Sequence, residues 1–186
     1  MKKIVLYNVE EELLEKYRSI EEFKDIKFSR VFDEDLNKTV NDLFELEKNI
    51  GNCEAFEKSY MIMSDISKDD LNFVNKILKK YDLEFNGIKV MKTQINKDWT
   101  LKALLKEVSE EHKIMTRIFK LRKLIISTND MDLNKYEEPL SFGLKQALLN
   151  GYVLINSKDI NIDKLDEAIA NIKQFLKAMG ENENEI

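Results

Sequence analysis

The only histidine and the only tryptophan, His112 and Trp99, fall within one stretch, Lys89 to His112. Four of its residues have the chemistry of a small-ligand site. Lys92 and Lys97 bring positive charge, and Thr93 and Asn96 bring hydrogen-bonding groups. They lie where a strand-like run, Ile88 to Ile95, gives way to a helix. Ligands of open α/β sheets favour that end of a strand, and the free N–H groups of a helix start favour an anion. Further on, Glu107 and Glu111 accompany His112 as acid–base partners or metal ligands. No nucleophile or third partner stands near them, and the two-histidine spacing of helical zinc sites is absent. His112 also falls about 18 Å along the helix from the turn, at 1.5 Å per residue, and so outside any pocket there. No catalytic residue, metal site or cofactor is therefore assigned.

The same residues have a purely structural account. Thr93, Gln94 and Asn96 can satisfy backbone groups in a turn, Asp98 can accept from the first N–H groups of the helix, and Trp99 can plug the junction between helix and sheet. His112 lies between Val108 and Met115 on an apolar stripe, the place of a half-buried, hydrogen-bonded histidine.

The elements that must position these residues alternate. Ile4–Val9 reads as a buried strand, and Glu10–Ile20 as a helix bearing Leu13, Leu14 and Tyr17. Ile26–Phe32 reads as a strand partly open to water. Asp33 or Asp35 then caps a helix carrying Leu36, Val40, Leu43, Phe44 and Glu47, and Lys48–Lys58 is a loop or frayed helix. A second round follows. Tyr60–Ile66 is a strand, and Ser67 and Asp70 form a capping box for a helix striped by Leu71, Val74, Ile77, Leu78 and Tyr81. Asn86-Gly87 turns into the Ile88 strand, and Asp98 or Thr100 opens the next helix. Ile26–Arg30 aligns with Ile88–Lys92 at an offset of 88 − 26 = 62, and Thr39–Phe44 with Thr100–Leu105 at 100 − 39 = 61. The expected fold is α/β: a duplicated β-α-β-α unit with a small four-stranded, mostly parallel sheet, followed by a C-terminal helical hairpin. The expected organisation is an α/β domain over 1–112, in repeats of about 1–57 and 58–112, a helical module over 113–180 and a disordered acidic tail over 181–186.

The pattern Lys89-x3-Thr93-x2-Asn96-x2-Trp99-Thr100, followed by Leu104-Leu105-x-Glu107 and Glu111-His112, resembles the signature of domain of unknown function 3783. The resemblance covers mainly Tyr60 to His112 and not the C-terminal helices. It implies a bacterial α/β domain and brings no activity and no catalytic residue.

The remaining third is helical. No breaker interrupts the run from Trp99 until Ser127-Thr128-Asn129-Asp130, a length of roughly 40 Å that a small sheet cannot cover. Pro139 suits a helix start. Ala147 and Gly151 leave room for a close helix neighbour, with a short strand at Tyr152–Ile155 as the competing reading. Asp163 opens the last helix and Gly180 ends it. Leu165, Ile169, Ile172, Leu176 and Met179 form a 4-3-4-3 seam that closes a hairpin within the chain or joins two copies as a homodimer. Lys113 to Ser127 holds Lys113, Arg117, Lys120, Arg122 and Lys123 and no acid, whereas residues 1–57 hold fifteen acidic and nine basic side chains. That stripe is a solvated face, a dock for an acidic protein partner, or a weak nucleic-acid contact.

Thirty basic against thirty-five acidic residues leave a net −5, which speaks against broad nucleic-acid binding. Cys53 is the single cysteine and cannot form an internal disulfide. No apolar run approaches the length of a membrane span, and the short apolar run after Lys3 is no secretion signal. A cytoplasmic, non-enzymatic interaction or regulatory module is expected. Its partner, a second copy or another protein, is held through the C-terminal helices. A ligand binder or enzyme using Lys92, Thr93, Asn96 and Lys97 is the alternative.

Overall fold

Short apolar runs rich in β-branched and bulky residues, each closed by a turning residue, become strands. In the computed structural model these are β1 (Lys2–Tyr7), β2 (Ile26–Val31), β3 (Tyr60–Ser64) and β4 (Ile88–Met91). The helices are α1 (Glu11–Ser19), α2 (Val40–Leu43), α3 (Lys68–Lys80), α4 (Leu101–Ser127), α5 (Glu138–Ile155) and α6 (Ile162–Ala178). The structure describes residues 1–46, 50–128 and 131–180. Two compact units are found, Met1–Ser109 and Glu110–Ile186.

In the first unit the sheet order is β2-β1-β3-β4. The two outer pairs, β1 with β2 and β3 with β4, are parallel, and the central pair β1 and β3 is antiparallel. On one face Ile4, Leu6, Met61 and Met63 pack with Leu14 and Tyr17 of α1 and Val74, Ile77 and Leu78 of α3. On the other, Val5, Tyr7, Tyr60 and Ile62 pack with Val40, Leu43, Leu101, Leu104 and Leu105. Both faces of the small sheet are thus covered, the second by α2 and the first turns of α4. Gly87 is required where β4 begins, because a Cβ there would stand 2.2 Å from the Ser59 carbonyl oxygen.

The two β-α-β-α halves meet reciprocally. Thr39 and Thr100 form an antiparallel bridge. The Val40 N–H donates to the Trp99 carbonyl and the Leu101 N–H to that of Lys38, both at 2.9 Å. Likewise Asn41 donates to Lys97 and Lys102 to Leu36, again at 2.9 Å. Each pair exchanges roles at the same offset, as in 100 − 39 = 61 and 102 − 41 = 61. Earlier in each half the offset is smaller. Asn8 and Asp65 both take left-handed backbone, with φ of 54° and 57°, and the N-caps Glu10 and Ser67 stand 67 − 10 = 57 apart. The difference of four equals the extra turn of α3, which has 13 residues against 9 in α1. The sheet register then makes Lys27 the counterpart of Ile88, at 88 − 27 = 61, since Lys27 lies beside Lys3, Ile88 lies beside Tyr60, and 60 − 3 = 57. The offset of 62 between Ile26 and Ile88 is one residue out. Ile26 packs on the first face and Ile88 on the second, and a one-residue slip sends a strand's side chains to the opposite face.

Several local expectations are corrected. Asp33–Asp35 is a short 3-10 turn, and the helix after it spans only Val40–Leu43, capped by Thr39. Buried Asp35 instead accepts the Phe32 N–H. Glu47, part of Lys48–Lys58 and the 181–186 tail lie outside the described residues. Thr100, whose hydroxyl accepts the Ala103 N–H at 3.2 Å, caps α4. Asn161 rather than Asp163 caps α6, accepting the Lys164 N–H at 2.9 Å. Tyr152–Ile155 continues α5 as helix.

The second unit has its own core. Ile118, Leu121 and Leu124 of α4 meet Leu144 and Ala147 of α5 and Leu165, Ile169, Ile172 and Leu176 of α6. The α6 seam is therefore spent inside the chain. At Gly151 α5 packs close to both neighbours: a Cβ there would meet Leu121 at 3.1 Å and Ile125 and Ile172 at 3.5 Å.

Candidate functional site

The turn after β4 is built by mutual hydrogen bonding. The buried Asn96 side chain accepts the Thr93 N–H at 2.8 Å and donates to the Met91 carbonyl at 3.0 Å, while the Thr93 hydroxyl accepts the Asn96 N–H at 3.2 Å. Both polar side chains are thus engaged with the turn itself. Lys92 reaches Asn41 at 3.4 Å and lies 5.1 Å from the Phe44 ring centre. Lys97 stands 4.0 Å from Asp98, which is exposed. The first half makes the same turn with Asp35, whose carboxylate accepts the Phe32 N–H at 3.1 Å and pairs with Lys38 at 3.0 Å. Asp35 and Asn96 stand at the common offset, 96 − 35 = 61.

The remaining motif residues are dispersed. Lys89 donates to Asn75 at 2.7 Å, and burial pulls its pKa down. Trp99 keeps 37% of its surface exposed, so it does not plug the junction. Glu107, Glu111 and His112 are all exposed along α4. His112 accordingly departs from its half-buried reading, because its position faces away from the core formed by Ile118 and Leu121. Among the described residues no group of three or more His, Cys, Asp or Glu side chains is placed to hold a metal ion.

Concave places open elsewhere, two of them lined by described residues outside the Thr93–Lys97 turn. The first, about 270 Å³, opens where β1 and β2 end and is lined chiefly by Asn8, Glu10, Arg30, Asn52, Cys53 and Glu54. Arg30 pairs with Glu11 and stacks on Phe32 at 4.9 Å. Beside this pocket, Asp33 accepts the Tyr7 hydroxyl and the N–H groups of Glu54 and Ala55 at 2.8 and 3.2 Å. Burial works to raise the Asp33 pKa, but these hydrogen bonds outweigh it and hold the value down. The Tyr7 hydroxyl is pushed up, first by burial and then by Asp33. Burial also raises the Cys53 thiol, which leaves it a poor nucleophile at neutral pH. In the sequence this pocket is marked only by a strand end, the same kind of position as Thr93 at the end of β4.

The second is a groove of about 410 Å³ in the helical unit, lined by Arg122, Ile125 and Ile126 of α4, Tyr152 and Ile155 of α5, and Asn156 just past its end. Phe119 (60% exposed), Ile126 (66%) and Tyr152 (61%) lie on this side of their helices and leave large apolar surface in water. Of the basic stripe, Arg117 is held by both carboxylate oxygens of Asp166 at 2.8 and 2.9 Å, and Lys113 pairs with Glu110.

These features define a small mixed α/β sheet unit joined to a helical unit with an open apolar face. Residues 59–115 match the family model of a domain of unknown function, DUF3783. The similarity covers β3, α3, β4, the Asn96 turn and the first half of α4. Neither the curated proteins nor the solved structures contain a match.

Proposed function

We propose that this protein is a non-enzymatic interaction module that holds its partner through the helical unit. The observation that carries the reading is the open apolar face of α4 and α5, where Phe119, Ile126 and Tyr152 are each more than half exposed. Single exposed apolar residues are ordinary, but a contiguous set beside a groove is the mark of a binding surface. The unpaired Cys53 suits a reducing, cytoplasmic setting. The reciprocal hydrogen bonds at Thr39 and Thr100 support reading the sheet unit as a duplication that serves as the scaffold. Light scattering and affinity capture, with the full chain and a Phe119→Glu/Tyr152→Glu variant, test the function. Association is expected with the native chain and lost in the variant, with unchanged circular dichroism. A variant that associates as well as the native chain overturns the reading.

A second reading rests on the polar pocket at the ends of β1 and β2, the position favoured by ligands of α/β sheets. It takes a small polar ligand, with Arg30, Asn8 and Asn52 as its contacts. A thermal-shift screen of small anions and zwitterions, repeated with Asn52→Ala, decides it. Stabilisation of the native chain alone supports the pocket, and an identical response of both removes it.

A further inference from the structure

We propose that the α4–α5 groove is a docking site for an acidic amphipathic helix of a partner protein, a proposal that rests on the interaction-module reading. The groove takes in the last two residues of each of two stripes. On α4, Met115, Phe119, Arg122 and Ile126 follow one another at steps of four, three and four, and on α5 and its C-cap, Lys145, Leu149, Tyr152 and Asn156 do the same. Such steps keep side chains on one helix face. The α4 stripe extends over about 16 Å, three turns of a partner helix. Between them, at Ile125, Ile126, Tyr152 and Ile155, lies a concave channel rather than a flat surface. A helix inserting apolar residues at i, i+3 or i+4, and i+7 fills such a channel.

The surrounding charge selects the occupant. From Lys113 to Thr128 there are five cations and no acid, and from Pro139 to Lys158 two lysines and no acid. Arg117 and Lys113 are already paired within the unit, which leaves Arg122 in the groove's lining and Lys123 and Lys145 exposed on the same two helices. A partner helix with Asp and Glu beside its apolar stripe complements that rim and associates quickly because of it. A second copy presenting the same face would set these cations against each other. A membrane surface matches the charge but leaves the concave channel unfilled.

The test uses the immobilised full chain and a displayed library of 16-residue helices. Each has leucine at i, i+3 and i+7 and a random choice of Glu, Lys or Ala elsewhere. Selection is expected to enrich Glu over Lys beside the leucines. Enriched peptides are expected to bind at least about tenfold more weakly to Ile126→Glu/Tyr152→Glu and to Arg122→Glu/Lys123→Glu chains of unchanged circular dichroism. Selection of no binder, binders without an acidic excess, or binding indifferent to both variants overturns the proposal. So does sedimentation with phosphatidylcholine vesicles containing about 30% phosphatidylserine that Ile126→Glu/Tyr152→Glu abolishes, which assigns the face to a membrane. A dimer lost in the same variant assigns it to a second copy. In these last two cases the interaction module stands and only its partner changes. If that variant alters neither peptide, vesicle nor self-association, the module reading fails as well.

Discussion

Asn96 shows how a residue that looks like a ligand contact serves the backbone. Its amide closes the turn after β4 with both its oxygen and its nitrogen. Asn96→Ala leaves the Thr93 N–H and the Met91 carbonyl without these partners and should cost about 1–3 kcal/mol in chemical denaturation. Asn96→Asp should cost more than Asp35→Asn, although both exchange the same two residue types. A carboxylate at 96 cannot donate to the Met91 carbonyl, whereas an amide at 35 still accepts from Phe32 and releases a part-exposed Lys38 to water. Asp70 sets a pH limit. The Lys2 ammonium, then Ser67, holds its carboxylate down at about 2, below the ordinary 3.8. Because the folded value is the lower one, its stabilisation is present above the ordinary value and is lost as pH falls from there towards 2. The stability gap between the native chain and Asp70→Asn should therefore close over that interval in denaturation curves collected at descending pH.

At the scale of elements, helix length and close approach decide the arrangement. The extra turn of α3 shifts the internal offset from 57 to 61, yet the Thr39 and Thr100 caps still meet. In the second unit Gly151 is a place where α5 packs close to its neighbours. Gly151→Ala puts a methyl 3.1 Å from the end of the flexible Leu121 side chain. Helix propensity returns roughly 0.8–1 kcal/mol, so the change should be near neutral. Gly151→Leu has no such room and should destabilise by about 1–3 kcal/mol through overpacking. Thermal unfolding of the pair separates propensity from packing.

For the whole molecule, three cores lie in two units: one on each face of the sheet and one among the C-terminal helices. Ile172 belongs only to the last. Ile172→Ala should cost about 2–5 kcal/mol there. In hydrogen-exchange mass spectrometry it should speed exchange in α5 and α6 while β1 and β3 keep their protection. Uniform loss of protection would show that both units open as one. Phe119, Ile126 and Tyr152 lie outside all three cores, so they can be changed to Glu with little effect on folding, which is why the docking tests are read as binding.

The sequence by itself determined much that is local. Strand and helix periodicity, the Ser67–Asp70 capping box and the α6 seam all follow from contacts within a few residues, and each stands in the structure. It also marked Ala147 and Gly151 as a place of close approach. It did not decide the antiparallel direction of β1 against β3, since a strand's pattern is the same read either way. Nor did it separate an offset of 62 from one of 61, because an apolar residue suits both faces of a sheet covered on both sides. The fate of Thr93 and Asn96 was open for a related reason: the side chain that closes a turn and the side chain that holds a ligand are the same chemical group. Only the tertiary structure, by placing Met91 and Thr93 within reach of Asn96, spent those groups. It also left Phe119, Ile126 and Tyr152 uncovered, because which side of an amphipathic helix stays open depends on where its neighbours pack.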